Sequence, residues 1–239
     1  MRKIGVLVHG LFLQANDWEH IVWGTPPYEL GSLPKAVEMM LQFGLDNIGC
    51  MIFGTGASQK DGMKEAEYTR HQVQLAMNMR RLEAYPAIKE QNDFQSTRGL
   101  VRLAELINTA TLETDAKNTV EEIANAARQF KERGCDLIIH VPTCGSHAPR
   151  CVKTYLQVKA QGNIPDGQVW IAAAAETTFA GSTINDVVII EPPHRADDPM
   201  VDAPVKAHEM ASKLFKLPPP ARIKFLQETT KVLRERYGV

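Results

Sequence analysis

Charge of one sign is what this 239-residue chain most clearly lacks: 27 basic residues stand against 28 acidic ones, for a net charge of −1. No excess is left to draw the chain to nucleic acid or to an anionic membrane surface, so a small-molecule ligand is the expected partner. Long apolar runs are missing too. The opening Met1-Arg-Lys-Ile-Gly-Val-Leu-Val-His-Gly10 has a basic pair, but its apolar stretch is broken at His9 before a signal-peptide core could form. No later stretch approaches the ~20 apolar residues of a membrane span. Cytoplasmic residence, with no membrane partner, is the expectation. Cysteine is sparse: Cys50, Cys135, Cys144 and Cys151, with no CxxC spacing. That predicts reduced thiols and no metal site.

Several catalytic signatures are absent as well. Val6-Leu-Val-His-Gly10 has the strand-then-His-Gly look of an α/β-hydrolase entry, yet no G-x-S-x-G elbow follows; Ser58 and Ser146 lack the flanking glycines that present a nucleophile. Gly54-Thr-Gly56 is not G-x-G-x-x-G, because Gln59 stands where the third glycine belongs, and the P-loop lysine pattern is missing.

What is present is an alternation. Near-continuous apolar runs at residues 4–8, 48–53, 137–141, 169–174 and 187–190 are separated by segments of helical spacing, which predicts a parallel sheet covered on both faces. The hydrophobic share of 44% is enough for a full core. The expected fold is α/β, a Rossmann-like three-layer sandwich with a mostly parallel sheet, built as a single domain over residues 1–239 with an appended helical segment over about 203–239. Helices are predicted over 63–82, 97–109 and 119–133. The last opens on an apparent capping box, Thr119-Val-Glu-Glu122, and stops at Gly134. The stretch 85–94 between the first two reads as a surface loop. Pro218-Pro-Pro220 reads as a hinge between helices over 203–215 and 221–237.

The richest chemistry lies in Val141-Pro-Thr-Cys-Gly-Ser-His-Ala-Pro-Arg150, where a strand ends, the backbone turns on Gly145, and Pro149 fits the first turn of the next helix. Cys144 and Arg150 have the C-x5-R spacing of cysteine-dependent phosphatases, in which a low-pKa thiolate attacks phosphate. Pro149, however, removes an N–H donor that such a loop would use. Phe53-Gly-Thr-Gly-Ala-Ser58, followed by Lys64-Glu-Ala-Glu67, is a strand, a small-residue turn and an acidic helix start. Small residues let backbone approach a ligand, and the acids complement the helix dipole. Asn118 and Thr119 suit a helix cap, and Glu191-Pro-Pro-His-Arg195 gathers charge on a loop after a predicted strand.

In order and spacing these blocks resemble the YdcF-like family, also called DUF218. The family pattern runs from a first strand ending in glycine to a glycine-rich strand end with a Ser/Thr-Glu-Ala helix start. An acidic residue with Asn-Thr and a Thr-Ser-x-x-His-x-x-Arg strand exit follow. Here the matching residues are Val8-His-Gly10, Phe53-Gly-Thr-Gly56 with Lys64-Glu-Ala-Glu67, Glu113 to Thr119, and Thr143-Cys-Gly-Ser-His-Ala-Pro-Arg150. The likeness spans about the first two thirds of the chain. The chain departs at Thr55, where the family has its second glycine, and at Cys144, where it has serine. The family's membrane-anchored envelope members suggest no envelope role for a chain in which no anchor is read.

The resemblance implies a polar crevice over the strand ends and a nucleotide-like or phosphorylated ligand, S-adenosylmethionine being one candidate, with the cofactor otherwise unknown. It leaves three functions open: an enzyme, hydrolase or transferase, using His/Glu acid–base chemistry; a non-catalytic ligand-binding module; and a thiol phosphatase. On the first, His147 and Glu65 carry acid–base work and Arg150 clamps an anion, with Cys144 to be tested. Gly10, Gly54, Thr55, Gly56, Glu113, Asn118, Thr119, Thr143, Ser146, His194 and Arg195 line the ligand.

Overall fold

The structure, a computed structural model, describes residues 3–15 and 17–177 together with Ala221 and Lys224. The predicted strand at 187–190, the His194-Arg195 loop, the Pro218 hinge and the C-terminal helices, apart from those two positions, lie outside the described residues.

Chain order is β1 (Lys3–Val8), α1 (Trp18–Trp23), α2 (Ser32–Phe43), β2 (Ile48–Gly54), a short hairpin of β3 (Gln59–Lys60) and β4 (Met63–Lys64), α3 (Glu65–Asn78), α4 (Pro86–Lys89), α5 (Asn92–Gln95), α6 (Thr97–Asn108), β5 (Thr111–Glu113), α7 (Thr119–Glu132), β6 (Cys135–Val141), α8 (Ala148–Ala160) and β7 (Val169–Ala172). The β3–β4 turn is Asp61-Gly62, both at positive φ, the pairing that a two-residue type I′ hairpin demands. The main sheet has the order β5-β2-β1-β6-β7 with every neighbouring pair parallel. Counted along the chain, its strands therefore run 3-2-1-4-5, the doubly wound order. Its direction of growth reverses between β1 and β6, and the connections leaving those two strands diverge to opposite faces, the place at which open α/β sheets bind ligands.

The alternation of side chains along each strand feeds two cores. Val6, Val8, Met51, Phe53, Ile139 and Val141 pack with α2, α3 and α6, while Leu7, Ile52 and Ile138 face Ala126 and Phe130 of α7. Ile123 and Ala127 of α7 then meet Tyr155 and Val158 of α8. This is the expected three-layer sandwich. Full burial of each large side chain stabilises it by roughly 1.5–3 kcal/mol. Gly5 shows how closely α7 sits: a Cβ there would lie 2.4 Å from the Phe130 ring. Gly134, at φ +71°, ends α7 as its sequence position predicts.

Two expectations are corrected. Residues 85–94 are not a surface loop: Tyr85, Ile88 and Phe94 are buried. The Tyr85 hydroxyl donates to the Trp23 carbonyl at 2.6 Å, and Arg81 stacks over the Trp23 ring at 4.2 Å. The segment folds as the short helices α4 and α5, whose one-turn lengths leave no periodicity to read. Strand β5 was not expected at all; its three residues extend the sheet beyond β2. The helix expected over 63–82 stops at Asn78, and the strand expected over 169–174 stops at Ala172.

Candidate functional site

A buried polar network lies where β1 and β6 end. His9, the first residue after β1, is 2% exposed; its Nδ1 lies 2.7 Å from Glu122 of α7 and its Nε2 3.2 Å from Nδ1 of His140. Burial by itself would depress the His9 pKa, but the charges of Cys151 and Glu122 and hydrogen bonds to both hold it well above the usual histidine range. His140 moves the other way: burial, then the His9 charge, push it down to about 3. His140 is therefore neutral and its Nδ1 accepts from His9, whose second proton goes to Glu122. The pattern is that of an imidazolium held between a carboxylate and a neutral imidazole. The other Glu122 oxygen accepts the Gly10 N–H at 3.2 Å.

His147 stands beside this pair, its ring centroid 5.9 Å from that of His9 in an edge-to-face arrangement. It precedes the first residue of α8, in the turn that Gly145 begins, and the Gly145 N–H donates to the Thr177 carbonyl at 2.7 Å. Thr143 donates to Nδ1 of His147 from its hydroxyl at 2.9 Å and, less closely, from its backbone N–H at 3.4 Å. This leaves the ring proton on Nε2, which faces the Cys151 sulfur at 3.4 Å. Arg150 follows one turn on, half-buried.

Next to Gly10, Glu65 opens α3. Its two oxygens accept from Thr55 at 2.5 Å and from Ser58 at 2.6 Å. Ser58 Oγ itself accepts the Leu13 N–H, which directs its proton onto Glu65. Burial pushes the Glu65 carboxyl up against those hydrogen bonds. The same cause raises Glu113, which accepts from the N–H groups of Asp115 and Ala116 and from Asn125.

The glycine-rich turns prove to be spaces for the protein's own groups. A Cβ on Gly10 would meet Glu65 Oε2 at 2.5 Å, one on Gly54 would meet Glu122 Oε1 at 1.9 Å, and one on Gly56 would strike the Thr114 carbonyl. The expected capping box at Thr119 is also corrected. Asn118 is the cap: its Oδ1 accepts the Glu121 N–H at 2.9 Å, its Nδ2 donates to Glu121 Oε1, and Glu121 Oε2 accepts the Lys117 N–H. Glu122 is thereby left to serve His9. Both polar atoms of the Asn118 side chain are engaged in the cap. Thr119 opens α7, half-buried.

Cys144 is fully buried, and burial pushes its thiol up despite hydrogen bonds from Ser146 and its neighbours. A phosphatase nucleophile needs the opposite on both counts. Among the described residues no cluster of three or more His, Cys, Asp or Glu side chains is arranged to hold a metal ion, and no helix is long and apolar enough to cross a membrane.

Sequence reasoning thus singled out Glu65, Thr55, Thr143 and His147 but missed His9, Glu122, His140, Ser58 and Cys151 as parts of the network. Two of these left a trace, an imidazole at the end of each central apolar run. Glu122 and Cys151 left none, because helix positions reveal a face and not a partner. No protein-family model, no curated protein and no solved structure matches the chain.

Proposed function

We propose that the chain is a YdcF-like enzyme that binds a small nucleotide-like or phosphorylated metabolite at the β1/β6 crevice and works on it by imidazole–carboxylate proton transfer. The observation that carries this reading is the buried His9–Glu122 imidazole–carboxylate pair, located where the order of the sheet reverses. Structural ion pairs need no such place; ligands of open α/β sheets are bound there. Arg150, in the first turn of α8, supplies a guanidinium for an anionic ligand group, helped by the positive end of the helix dipole. Glu65, whose carboxyl burial pushes up against its hydrogen bonds from Thr55 and Ser58, is suited to acid–base work, and His147 is oriented by Thr143 and Cys151.

A non-catalytic binding module is the second reading, favoured by one fact: both ring nitrogens of His9 and of His147 already have partners within the protein. The thiol phosphatase has lost its support in the burial of Cys144.

Calorimetric titration with S-adenosylmethionine, nucleotides and phosphosugars, followed by mass spectrometry of the incubated ligand, separates the readings. The enzyme reading expects binding that Arg150→Ala weakens at least tenfold, and turnover that His9→Gln abolishes while binding persists. Binding without turnover in the parent protein favours the module. Absence of any binding overturns both.

A further inference from the structure

At the amino-terminal end of the sheet, opposite the strand ends that carry the polar network, two thiols meet. Cys50 of β2 is in register with Gly5 and Cys135 of β6 with Lys3, so the pair comes from the two strands that flank β1. Both flanking strands slip against β1 at these residues. The sulfurs approach to 3.7 Å beneath α7, in the cluster that holds Phe130. Gly49, next to Cys50, leaves room for the Cys135 sulfur, which a Cβ there would approach to 2.9 Å. Lys3, Arg133 and Asp136 are the charged groups that bear on the pair, two cations against one anion.

We propose that Cys50 and Cys135 form a redox-responsive dithiol that hydrogen peroxide converts to an intramolecular disulfide and that thiols restore. The polarity of the pair is set by its surroundings. The hydrogen bond from the Cys50 thiol holds Cys135 below the usual thiol range, with Lys3 and Arg133 acting in the same direction against burial, while Cys50 is pushed up. Cys135 is therefore the more readily ionised of the two and the sulfur that attacks. Its sulfur takes one peroxide oxygen, giving a sulfenic acid and hydroxide. Cys50 then attacks that sulfur, the S–S bond forms, and the sulfenic oxygen leaves as water once the Cys50 proton is passed on. In sum, two thiols and one peroxide yield one disulfide and two waters. A small oxidant suits a pair of which Cys135 is wholly buried and Cys50 is 7% exposed. Closure shortens the sulfur separation from 3.7 Å to about 2.05 Å and, because β1 lies between the two strands, requires the amino-terminal ends of β2 and β6 to draw together. The inference is independent of the functional reading, since neither cysteine belongs to the crevice.

The test uses the reduced full-length chain, treated with hydrogen peroxide, alkylated and digested without reductant. The expected product is a peptide pair joined through Cys50 and Cys135, lighter by two hydrogens and separated by dithiothreitol, with Cys144 and Cys151 alkylated. In Cys50→Ser the link is lost and dimedone labels Cys135 at least several-fold more than in the parent. Four alkylated cysteines after oxidation, a link through Cys144 or Cys151, or equal dimedone labelling in parent and variant would each overturn the proposal.

Discussion

His9 sits at the end of β1 between a carboxylate and a second imidazole, and its protonation is tied to folding. Its folded pKa is raised, so its contribution to stability is complete below the unfolded value near 6.5 and is lost as pH rises through the folded value. His140 has the opposite sign: depressed to about 3 from 6.5, it contributes above 6.5, and the contribution is lost as pH falls toward 3. Urea unfolding across pH should therefore show His140→Gln flattening the acid limb between pH 6.5 and 3, whereas His9→Gln removes an alkaline decline and, by taking away the charge that helps to depress His140, shrinks the acid limb without abolishing it. Glu122→Ala strands a buried imidazolium and should cost about 3–5 kcal/mol at neutral pH. An equal loss in the double variant His9→Gln/Glu122→Ala would contradict the pairing. None of this was legible in a sequence where His9 reads as the interruption of an apolar run.

Helix α7 connects the two poles of the molecule. Its apolar positions Val120, Ile123, Ala124, Ala127 and Phe130 are legible in the sequence as helical spacing; Ile123, Ala127 and Phe130 are buried as that spacing predicts, Val120 and Ala124 are half-buried, and Ala126 is buried beside them. The partners of its polar residues are not, since Glu121 and Glu122 are adjacent and alike in chemistry but point to the cap and to His9 respectively. Asn118→Ala should lower stability by about 1 kcal/mol in thermal denaturation, with Asn118→Asp close to the parent, as a cap requires. Gly5→Ala drives a Cβ into the Phe130 ring and should cost about 1–3 kcal/mol. Adding Phe130→Leu should return part of that loss. Elements of three or four residues such as β5, α4 and α5 escaped prediction because a period needs more than one turn or pleat to show itself. The Tyr85 hydroxyl bonded to the Trp23 carbonyl, with Ile88 and Phe94 packed in the core, holds that segment buried.

At the scale of the whole sheet, the strand order puts the carboxyl ends of β1 and β6 at the reversal point, where open α/β sheets bind ligands. A ligand that binds only the folded state should raise the unfolding free energy by about 2.7 kcal/mol at one hundred times its Kd. That rise should fall to about 1.4 kcal/mol or less at the same concentration in Arg150→Ala if the guanidinium holds the ligand, and a rise undiminished in the variant would remove Arg150 from the site.

The apolar runs and the helical spacing between them determined the layered α/β architecture, because burial on two faces demands both patterns. The small residues after β1 and β2 marked where backbone and carboxylates come close. Tertiary structure alone decided which charges meet. Glu122 lies 113 positions from His9, and Cys135 lies 85 positions from Cys50. Local pattern records which face of an element is apolar, while contact between distant polar groups follows from strand order and register. In this chain those brought three imidazoles together at one end of the sheet and two thiols together at the other.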